Sequence, residues 1–356
     1  MYVGRIVAAG KTSKPFVAYR VSSRSFPNRM VHLENNTASI QFKPDHTSDN
    51  PYTTYNCIKI AGDVFVVSNG THTDGIVEKI EAGTDPEKAI HTTLEQMGYE
   101  KDELNTPRIA GAVHNDTGYL GIVDTKGTRT ASFALKDNSC RAIATYGLDL
   151  ETEYPVTAST PGQLAHFVFD GGDFSTLDKP VCSAAYDGDF GILNPMTMEE
   201  AENILYNNTD PQVVSHSKKV MEVASKLAEQ KGADTQLVKT GALLHDIGRS
   251  KTHDISHVTA GVDFARSNDL STELVSIIHN HAGAGLTPPE AKGLGLPEED
   301  YTPKTLEEKI VTYADLLVFG DEAVDFEEAL RRYSEKYPNS PYLNKIKELH
   351  ASLQQA

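Results

Sequence analysis

Two patterns of hydrophobic and polar residues divide the chain near residue 195. Before that point, short runs rich in β-branched and aromatic residues alternate with turn residues, which is typical of strands. The predicted strands are 2–9, 16–21, 38–42, 56–60, 64–68, 109–114, 119–124 and 181–185. Two helical patterns, 73–82 and 86–97, interrupt them, and Asp85 and Pro86 give the second a capped start. Residues 1–195 are therefore predicted to form an α+β domain.

After Pro195 the pattern changes almost entirely to helices. A first helix is predicted over 197–206, and the pattern pauses at residues 207–209. It restarts with Asp210 as N-cap and Pro211 in the first turn. We therefore expect a linker over 196–209 and an all-α domain over 210–356, which ends in two charged amphipathic helices after Asp321.

Composition narrows the classes of function. The length of 356 residues suits two domains, and the formal charge of −17 would repel nucleic acid. No apolar run approaches the roughly 20 residues that span a bilayer, so no membrane association is expected. Three widely spaced cysteines and a start unlike a secretory signal predict a cytoplasmic protein.

The first 33 residues contain no Asp or Glu, although the chain as a whole is acidic. Six cations lie in this segment: Arg5, Lys11, Lys14, Arg20, Arg24 and Arg29. Guanidinium groups match phosphate oxygens two at a time, so the segment predicts a positive pocket for a small phosphorylated substrate. The alternative is that these cations pair with acids elsewhere on the surface.

A second candidate site follows from helical spacing. His216 lies on the apolar face of its predicted helix, His245 and Asp246 end another, and Asp315 shares a face with apolar neighbours. Because these are nitrogen and oxygen ligands without a thiolate, the set suits Mn, Fe, Co, Ni, Zn or Mg. A single inward histidine is more often a hydrogen-bonded core residue, but four inward ligand types together predict a divalent metal site.

The order His, His-Asp and late Asp resembles the HD superfamily of metal-dependent phosphohydrolases over about residues 210–320. The resemblance implies hydrolysis of a phosphoester, on a nucleotide-like substrate. His257 and one of two later histidines would allow a second ion, and helical periodicity favours His281 over His279. Arg249 or Lys251 would hold the substrate phosphate or would be solvated surface cations. The alternative function is a regulatory nucleotide sensor without chemistry.

Four clusters in the first half are predicted to form one pocket. They are residues 20–29, 55–57, 68–74, and 99–102 together with 106–108. The third cluster follows a strand and opens a helix, whose amides suit a phosphate or carboxamide oxygen. Together the clusters closely resemble the archaeal-type IMP cyclohydrolases over residues 1–195.

That resemblance implies closure of 5-formamidoimidazole-4-carboxamide ribotide to inosine monophosphate, without a metal or organic cofactor. The implied partner is a small purine nucleotide, and the implied assembly is a homo-oligomer. The candidates for catalysis are Tyr55, Glu100, Lys101 and Arg29. The candidates for substrate binding are Arg20, Ser22, Ser23, Arg24, Asn56, Asn69, Gly70, Thr71, His72, Asp74 and Arg108.

The implied fold is the four-layer α/β/β/α sandwich of the N-terminal nucleophile hydrolases. That fold raises amide hydrolysis by a freed N-terminal Cys, Ser or Thr as a competing function. Residue 2 is Tyr, which cannot serve as that nucleophile. A further alternative is that the first domain binds a nucleotide without catalysis.

Overall fold

The computed structural model describes residues 1–44, 46–50 and 52–355. The chain forms two compact units, residues 1–195 and 196–356. Among the described residues, no helix combines the length and the apolar character needed to cross a membrane.

The first unit contains two antiparallel sheets. The six-stranded sheet has the order β11-β10-β1-β2-β12-β13. Its strands are β1 (Arg5–Lys11), β2 (Pro15–Ser22), β10 (Ser139–Ala144), β11 (Glu153–Pro155), β12 (Pro180–Tyr186) and β13 (Phe190–Leu193). The seven-stranded sheet runs in sequence order from β3 to β9. Its strands are β3 (Arg29–Glu34), β4 (Thr37–Phe42), β5 (Tyr55–Ala61), β6 (Val64–Ser68), β7 (Arg108–His114), β8 (Thr117–Asp124) and β9 (Gly127–Ala134).

Helices cover the outer face of each sheet. Residues of α1 (His72–Glu81) and α2 (Pro86–Met97) share a core with β6 and β7, while α3 (Pro161–Asp170) shares one with β1 and β2. A third core, which includes Val7, Val17, Ile40 and Ile58, joins the two sheets. These cores define four layers, α/β/β/α, and the predicted α+β class is confirmed.

Burial on both faces explains which strands were recognisable in the sequence. Strands β1 and β2 lie inside the sandwich and form nearly continuous apolar runs. Edge strand β9 alternates between exposed and partly buried residues and was not predicted; β3, β10, β11 and β13 were not predicted either. Helix α3 was also missed, although Thr160 caps it and Pro161 occupies its first turn.

The second unit is helical apart from a short hairpin of β14 (Val318–Phe319) and β15 (Glu322–Ala323). Its helices are α4 (Met198–Asn208), α5 (Pro211–Lys231), α6 (Thr235–Leu244), α7 (His257–Ser267), α8 (Thr272–Asn280), α9 (Pro288–Gly293), α10 (Leu306–Leu316), α11 (Phe326–Lys336) and α12 (Tyr342–Gln355). The helical class predicted for this half is confirmed.

The segment 196–209, expected to be a linker, belongs to the helical unit. A capping box between Thr197 and Glu200 starts α4, and Ala201 and Leu205 are buried in a core with residues of α5 and α6. The pause at residues 207–209 marks only the turn between α4 and α5. These apolar contacts are why the segment folds with the second unit.

A close backbone contact fixes the position of α7. Gly248 follows α6 in a short 3₁₀ turn, and a Cβ atom there would overlap the carbonyl oxygen of His257 and the amide nitrogen of Gly261. Only glycine allows α7 to approach the turn this closely.

We expect Gly248→Ala to lower the free energy of unfolding of the helical unit by ~1–3 kcal/mol or more, because the new methyl group must push α7 away. Gly293→Ala is the matched control, since a Cβ atom at Gly293 has no neighbour within 4 Å. Thermal unfolding of the full-length variants measures the difference. Equal unfolding of the two variants would contradict this account of the turn.

Candidate functional site

A charged side chain enters the core between the two sheets of the first unit. On β1, Val7 and Ala9 point into that core, and the two-residue period of a strand directs Arg5 to the same face. Arg5 Nε donates to the hydroxyl of Tyr55 at 3.4 Å, and the hydroxyls of Tyr55 and Tyr19 are 2.7 Å apart. The edge of this core is therefore polar.

Arg29 brings a second guanidinium close to this group. It is fully buried, and its Nε donates to the carbonyl of Phe26 at 3.2 Å. Its Nη1 and Nη2 atoms are buried and make no hydrogen bond to the described residues. Burial and then the charge of Arg5 lower its pKa. Since buried polar groups are nearly always paired, Arg29 is suited to an anionic or carbonyl oxygen of a ligand.

A buried carboxyl faces a third arginine. Arg108 Nη1 lies 3.4 Å from Glu100 Oε1, and both side chains are almost fully buried. Burial raises the pKa of Glu100 to about 7, although the charges of Arg108 and Arg5 oppose this shift. Glu100 is therefore poised to exchange a proton near neutral pH.

A histidine with a free acceptor atom lies beside the same arginine. His72 Nε2 donates to the carbonyl of Ile109 at 2.9 Å, which leaves Nδ1 unprotonated. His72 Nδ1 is buried without a hydrogen bond to the described residues, and burial lowers the pKa of His72 to about 4. A Cβ atom on Gly70 would lie 3.1 Å from both His72 Nδ1 and Arg108 Nη1, so the glycine leaves room next to two polar atoms.

A pocket of about 120 Å³ opens onto several of these groups. Its walls include Arg5, Ser23, Tyr52, Glu100 and Asp102. Its lining includes residues from two of the four predicted clusters, 20–29 and 99–102 with 106–108. Tyr55, from a third cluster, accepts a hydrogen bond from Arg5 in the wall, whereas the described lining contains no residue of the cluster 68–74.

Two predicted substrate ligands point away from this pocket. Arg20 and Ser22 lie on the face of β2 that is opposite to Tyr19, toward α3. Arg20 is fully buried, and its guanidinium donates to Ser22 Oγ at 3.0 Å and to the carbonyls of Phe174 and Leu177 at 3.1 and 2.7 Å. Because its donors are taken by the protein, Arg20 ties β2 to the segment after α3 and does not reach the pocket.

Other predicted ligands also bond within the protein. The Asn69 side chain donates to the carbonyl of Pro107 and accepts from the amide of Ile109. Asn56 Nδ2 donates to Asp74 Oδ1 at 2.9 Å, and both residues line a separate pocket of about 750 Å³. Thr71 is exposed at the start of α1. The single pocket expected from the sequence is therefore divided.

Of the remaining candidates, Ser23 is buried, whereas Arg24 and Lys101 are exposed. Ser23 Oγ accepts from the amide of Phe26, and the Arg24 guanidinium lies 4.3 Å from the ring centre of Tyr2.

Arg5 was counted among the cations of the predicted positive pocket, but neither it nor Tyr19 or Tyr52 was named as an individual site residue. A signal was available for Arg5, because a charged residue heads the apolar run of β1 at an inward-facing position. The tyrosines carried no such signal, since aromatic residues in strands are usually core residues.

In the helical unit, four histidines are oriented in the same way. Each places its Nδ1 atom against a main-chain carbonyl oxygen, so Nδ1 carries the proton and Nε2 is a free donor atom for a metal. The pairs are His216 with Gly320 (2.8 Å), His245 with Ala242 (2.7 Å), His257 with Asp254 (2.7 Å) and His281 with Ile278 (2.6 Å).

The four Nε2 atoms converge on two carboxylates. The ligand atoms of His216, His245 and Asp246 lie within 4.8 Å of one another, and so do those of Asp246, His257 and His281. Asp315 Oδ1 lies 2.9 Å from His216 Nε2 and 3.5 Å from His245 Nε2. The structure thus brings together all six predicted ligands.

The cluster fits a divalent cation. Its buried atoms His245 Nε2 and Asp246 Oδ1 make no hydrogen bond of good geometry to the described residues. Burial opposes the ionisation of Asp246, but His245, His257 and His281 outweigh it and hold the pKa of Asp246 well below its usual range. A carboxylate among imidazoles whose Nδ1 atoms are held by main-chain carbonyls is a donor set for Mn, Fe, Co, Ni or Zn.

The neighbouring residues resolve two alternatives left open by the sequence. Arg249 Nε donates to Asp246 Oδ2 at 2.5 Å, so Arg249 holds a ligand in place instead of standing free for substrate. The His279 ring stacks on Tyr301 with centroids 4.1 Å apart and lies outside the cluster, whereas His281 lies in it.

Comparison with known proteins agrees with this division of the chain. The profile of the family described as IMP cyclohydrolase-like protein matches residues 2–190. The IMP cyclohydrolase of Methanocella arvoryzae is 45% identical over 195 residues, which are 53% of this chain and 94% of the relative. That of Methanococcus aeolicus is 41% identical over 203 residues, which are 54% of this chain and 98% of the relative.

The chain belongs to the IMP cyclohydrolase-like family. The resemblance predicted from the sequence is confirmed for the first unit. A second profile, that of the HD domain, matches residues 213–319 and confirms the resemblance of the helical unit. HD domains are metal-dependent, in agreement with the His and Asp groups described above.

Solved structures show weaker similarity. The HD domain of the Listeria monocytogenes phosphodiesterase PgpH is 18% identical, covers 44% of this chain and 97% of its own, and has a TM-score of 0.29. A predicted HD superfamily hydrolase from an uncultured Thermotogales bacterium is 21% identical, covers 44% of this chain and 87% of its own, and has a TM-score of 0.26.

We expect Arg20→Lys to lower the free energy of unfolding of the first unit by ~1–3 kcal/mol, because one ammonium group cannot reach all the acceptors of the guanidinium. Arg129→Lys is the control, since Arg129 forms an exposed ion pair with Asp124, whose loss costs ~1 kcal/mol or less. Urea unfolding of both variants measures the difference. If Arg20→Lys has the same free energy of unfolding as the control, Arg20 is not a structural residue and again becomes a candidate for substrate binding.

Proposed function

We propose that the first unit closes 5-formamidoimidazole-4-carboxamide ribotide to inosine monophosphate. The observation that carries this proposal is the buried pair of Glu100 and Arg108 in a chain that belongs to the IMP cyclohydrolase-like family. A buried carboxyl with a pKa of about 7 can take up a proton and return it at neutral pH.

The reaction needs few chemical groups from the protein. The carboxamide nitrogen of the substrate forms a bond to the formyl carbon and loses one proton, and the formyl oxygen takes up a proton and becomes a hydroxyl. The hydroxyl then leaves as water with the proton of the formamido nitrogen, as the C=N bond of the new ring forms. Because both reacting groups belong to one molecule, the protein must orient them, move protons and stabilise the developing oxyanion. We propose no metal or organic cofactor for this step.

The described contacts suggest the division of these tasks. Glu100 takes the amide proton, and the hydroxyl of Tyr55, bonded to Tyr19, assists proton transfer. Arg29, with two nitrogens free of protein partners, meets an oxyanion or phosphate oxygen of the substrate. His72 Nδ1 accepts a hydrogen bond from the substrate, and Lys101 contributes positive charge at the surface.

The wider setting that we propose is that of a purine nucleotide enzyme in a reducing compartment, the cytoplasm, acting as a homo-oligomer. The three cysteines are free and buried, which supports a reducing environment. The acidic balance of the chain supports small molecules over nucleic acids as partners.

We expect kcat/KM for ring closure to rise as the pH increases through about 7, because Glu100 must be ionised to accept the amide proton and burial raises its pKa to about 7. Glu100→Gln cannot accept a proton and is expected to lower kcat by ~10²–10⁴-fold. Chromatography of the nucleotide products measures both effects, and EDTA serves as a control that leaves the rate unchanged. Nearly full turnover by Glu100→Gln would remove Glu100 from the proton transfer.

We further propose that the helical unit hydrolyses a phosphoester with a divalent metal held by His216, His245, Asp246, Asp315, His257 and His281. The metal, Mn, Fe, Ni, Co, Zn or Mg, would lower the pKa of a bound water and offset charge on the phosphoryl oxygens. In this hydrolysis, a water oxygen bonds to phosphorus, the ester P–O bond breaks and a proton passes to the leaving oxygen. Arg249 keeps Asp246 in position during this reaction.

We expect Mn²⁺ to raise the melting temperature of the full chain, because an ion that binds only the folded state stabilises it. Asp246→Asn removes the charge of the carboxylate that both ligand triads share and is expected to abolish most of this shift. Differential scanning calorimetry with and without Mn²⁺ measures it, and His279→Ala, outside the cluster, is the control. A shift that persists in Asp246→Asn would place the ion elsewhere.

A further inference from the structure

A pocket of about 640 Å³ lies next to the metal-ligand cluster of the helical unit. Ala282 and Gly283, which directly follow His281, form part of its wall, and Ile255 lies two residues before His257. Pockets of roughly 300–1,000 Å³ are the usual size for small molecules. The charge of Asp315, one carboxylate of the cluster, also acts on Tyr333 and Tyr342 in the pocket wall, which places the pocket on the side of the cluster.

Three tyrosines make one wall of the pocket aromatic. The ring centroids of Tyr333 and Tyr342 are 5.8 Å apart, those of Tyr337 and Tyr342 are 5.7 Å apart, and both pairs meet edge to face at 84°. Burial raises the pKa of Tyr333 and Tyr342 above the usual range, and the nearby charge of Asp315 adds to this shift. These two phenols are thus neutral, and the three rings together favour a planar aromatic ligand.

The charges in the wall cancel. Besides the tyrosines, the described lining contains two ionisable residues, Glu290 and Lys345. They form a close ion pair. Lys345 Nζ also donates to the carbonyl of Gly285 at 3.1 Å. Phosphate binding needs a cationic donor, and the Lys345 ammonium is already paired with Glu290. The described lining therefore suits an uncharged group and does not favour a second or third phosphate.

We propose that this pocket binds the base of a nucleoside monophosphate whose single phosphate lies at the metal-ligand cluster. This inference rests on the phosphohydrolase activity proposed above and names the class of its substrate. Polyphosphates are disfavoured, because their additional charge would meet an apolar, electrically balanced wall.

The test compares substrates that differ only in the base or in the number of phosphates. With Mn²⁺, the full-length protein is assayed for phosphate release from adenosine monophosphate, ribose 5-phosphate and ATP. Tyr337→Ala removes one ring of the wall and is tolerated by the fold, since 40% of the side chain is exposed. Tyr206→Ala is the matched control, because Tyr206 is 47% exposed and does not line the pocket.

We expect Tyr337→Ala to raise KM for adenosine monophosphate at least about fivefold with little change in kcat, because stacking is lost. KM for ribose 5-phosphate, which lacks a base, should be the same in the wild type and both variants. Equal KM values for adenosine monophosphate in Tyr337→Ala and Tyr206→Ala would overturn the inference. So would a wild-type preference for ATP.

The test also separates a wrong pocket assignment from a wrong phosphohydrolase proposal. If the wild type releases no phosphate from any of the three compounds, the phosphohydrolase proposal is wrong, and equilibrium dialysis then decides on the pocket. One fewer adenosine monophosphate bound per chain in Tyr337→Ala than in Tyr206→Ala would support a base site. Equal numbers would overturn it.

Discussion

The cost of burying a charge shapes both units of this protein. A guanidinium or carboxylate removed from water must find compensation in hydrogen bonds, in opposite charge or in a ligand. Arg20 and Arg29 are both fully buried, yet their compensation differs. Carbonyl oxygens after α3 take up the guanidinium of Arg20, whereas two nitrogens of Arg29 have no partner among the described residues. The donors of Arg20 are therefore satisfied within the fold, whereas Arg29 keeps two donors that the described protein groups do not use.

The same cost explains how the helical unit holds its carboxylates. Asp246 is buried, so its charge is stable only beside cations or donors. Arg249 supplies one such partner at Oδ2, and imidazoles surround Oδ1. Because each imidazole is bonded through Nδ1 to a main-chain carbonyl, its orientation is set by the backbone and not by the ion. The ligand geometry is thus largely formed by the fold itself.

The sequence carried enough information for the fold class and for the clustering of the six predicted His and Asp ligands, but less for the first pocket. Ligands on helices follow a regular period, so the inward direction of His281 could be told from that of His279 without coordinates. In the first unit, the correct assignment of pocket residues depended on which face of β2 packs against the other sheet. Both faces of β2 are buried, so the hydrophobic pattern is the same on each side and gave no means of separating Arg20 from Tyr19. The long-range pairing of Arg20 with residues after the unpredicted helix α3 was equally hidden.

Asp246 decides whether the six ligands act as one site or two. Its carboxylate belongs to both triads, one with His216 and His245 and the other with His257 and His281. The two groups of histidines are also in direct contact, since the rings of His245 and His281 lie 5.1 Å apart at their centroids. A charge placed in one triad therefore acts on the other through a shared carboxylate in a buried, weakly screened setting. The two triads therefore form one electrostatic unit, and ions held in both would be coupled through Asp246.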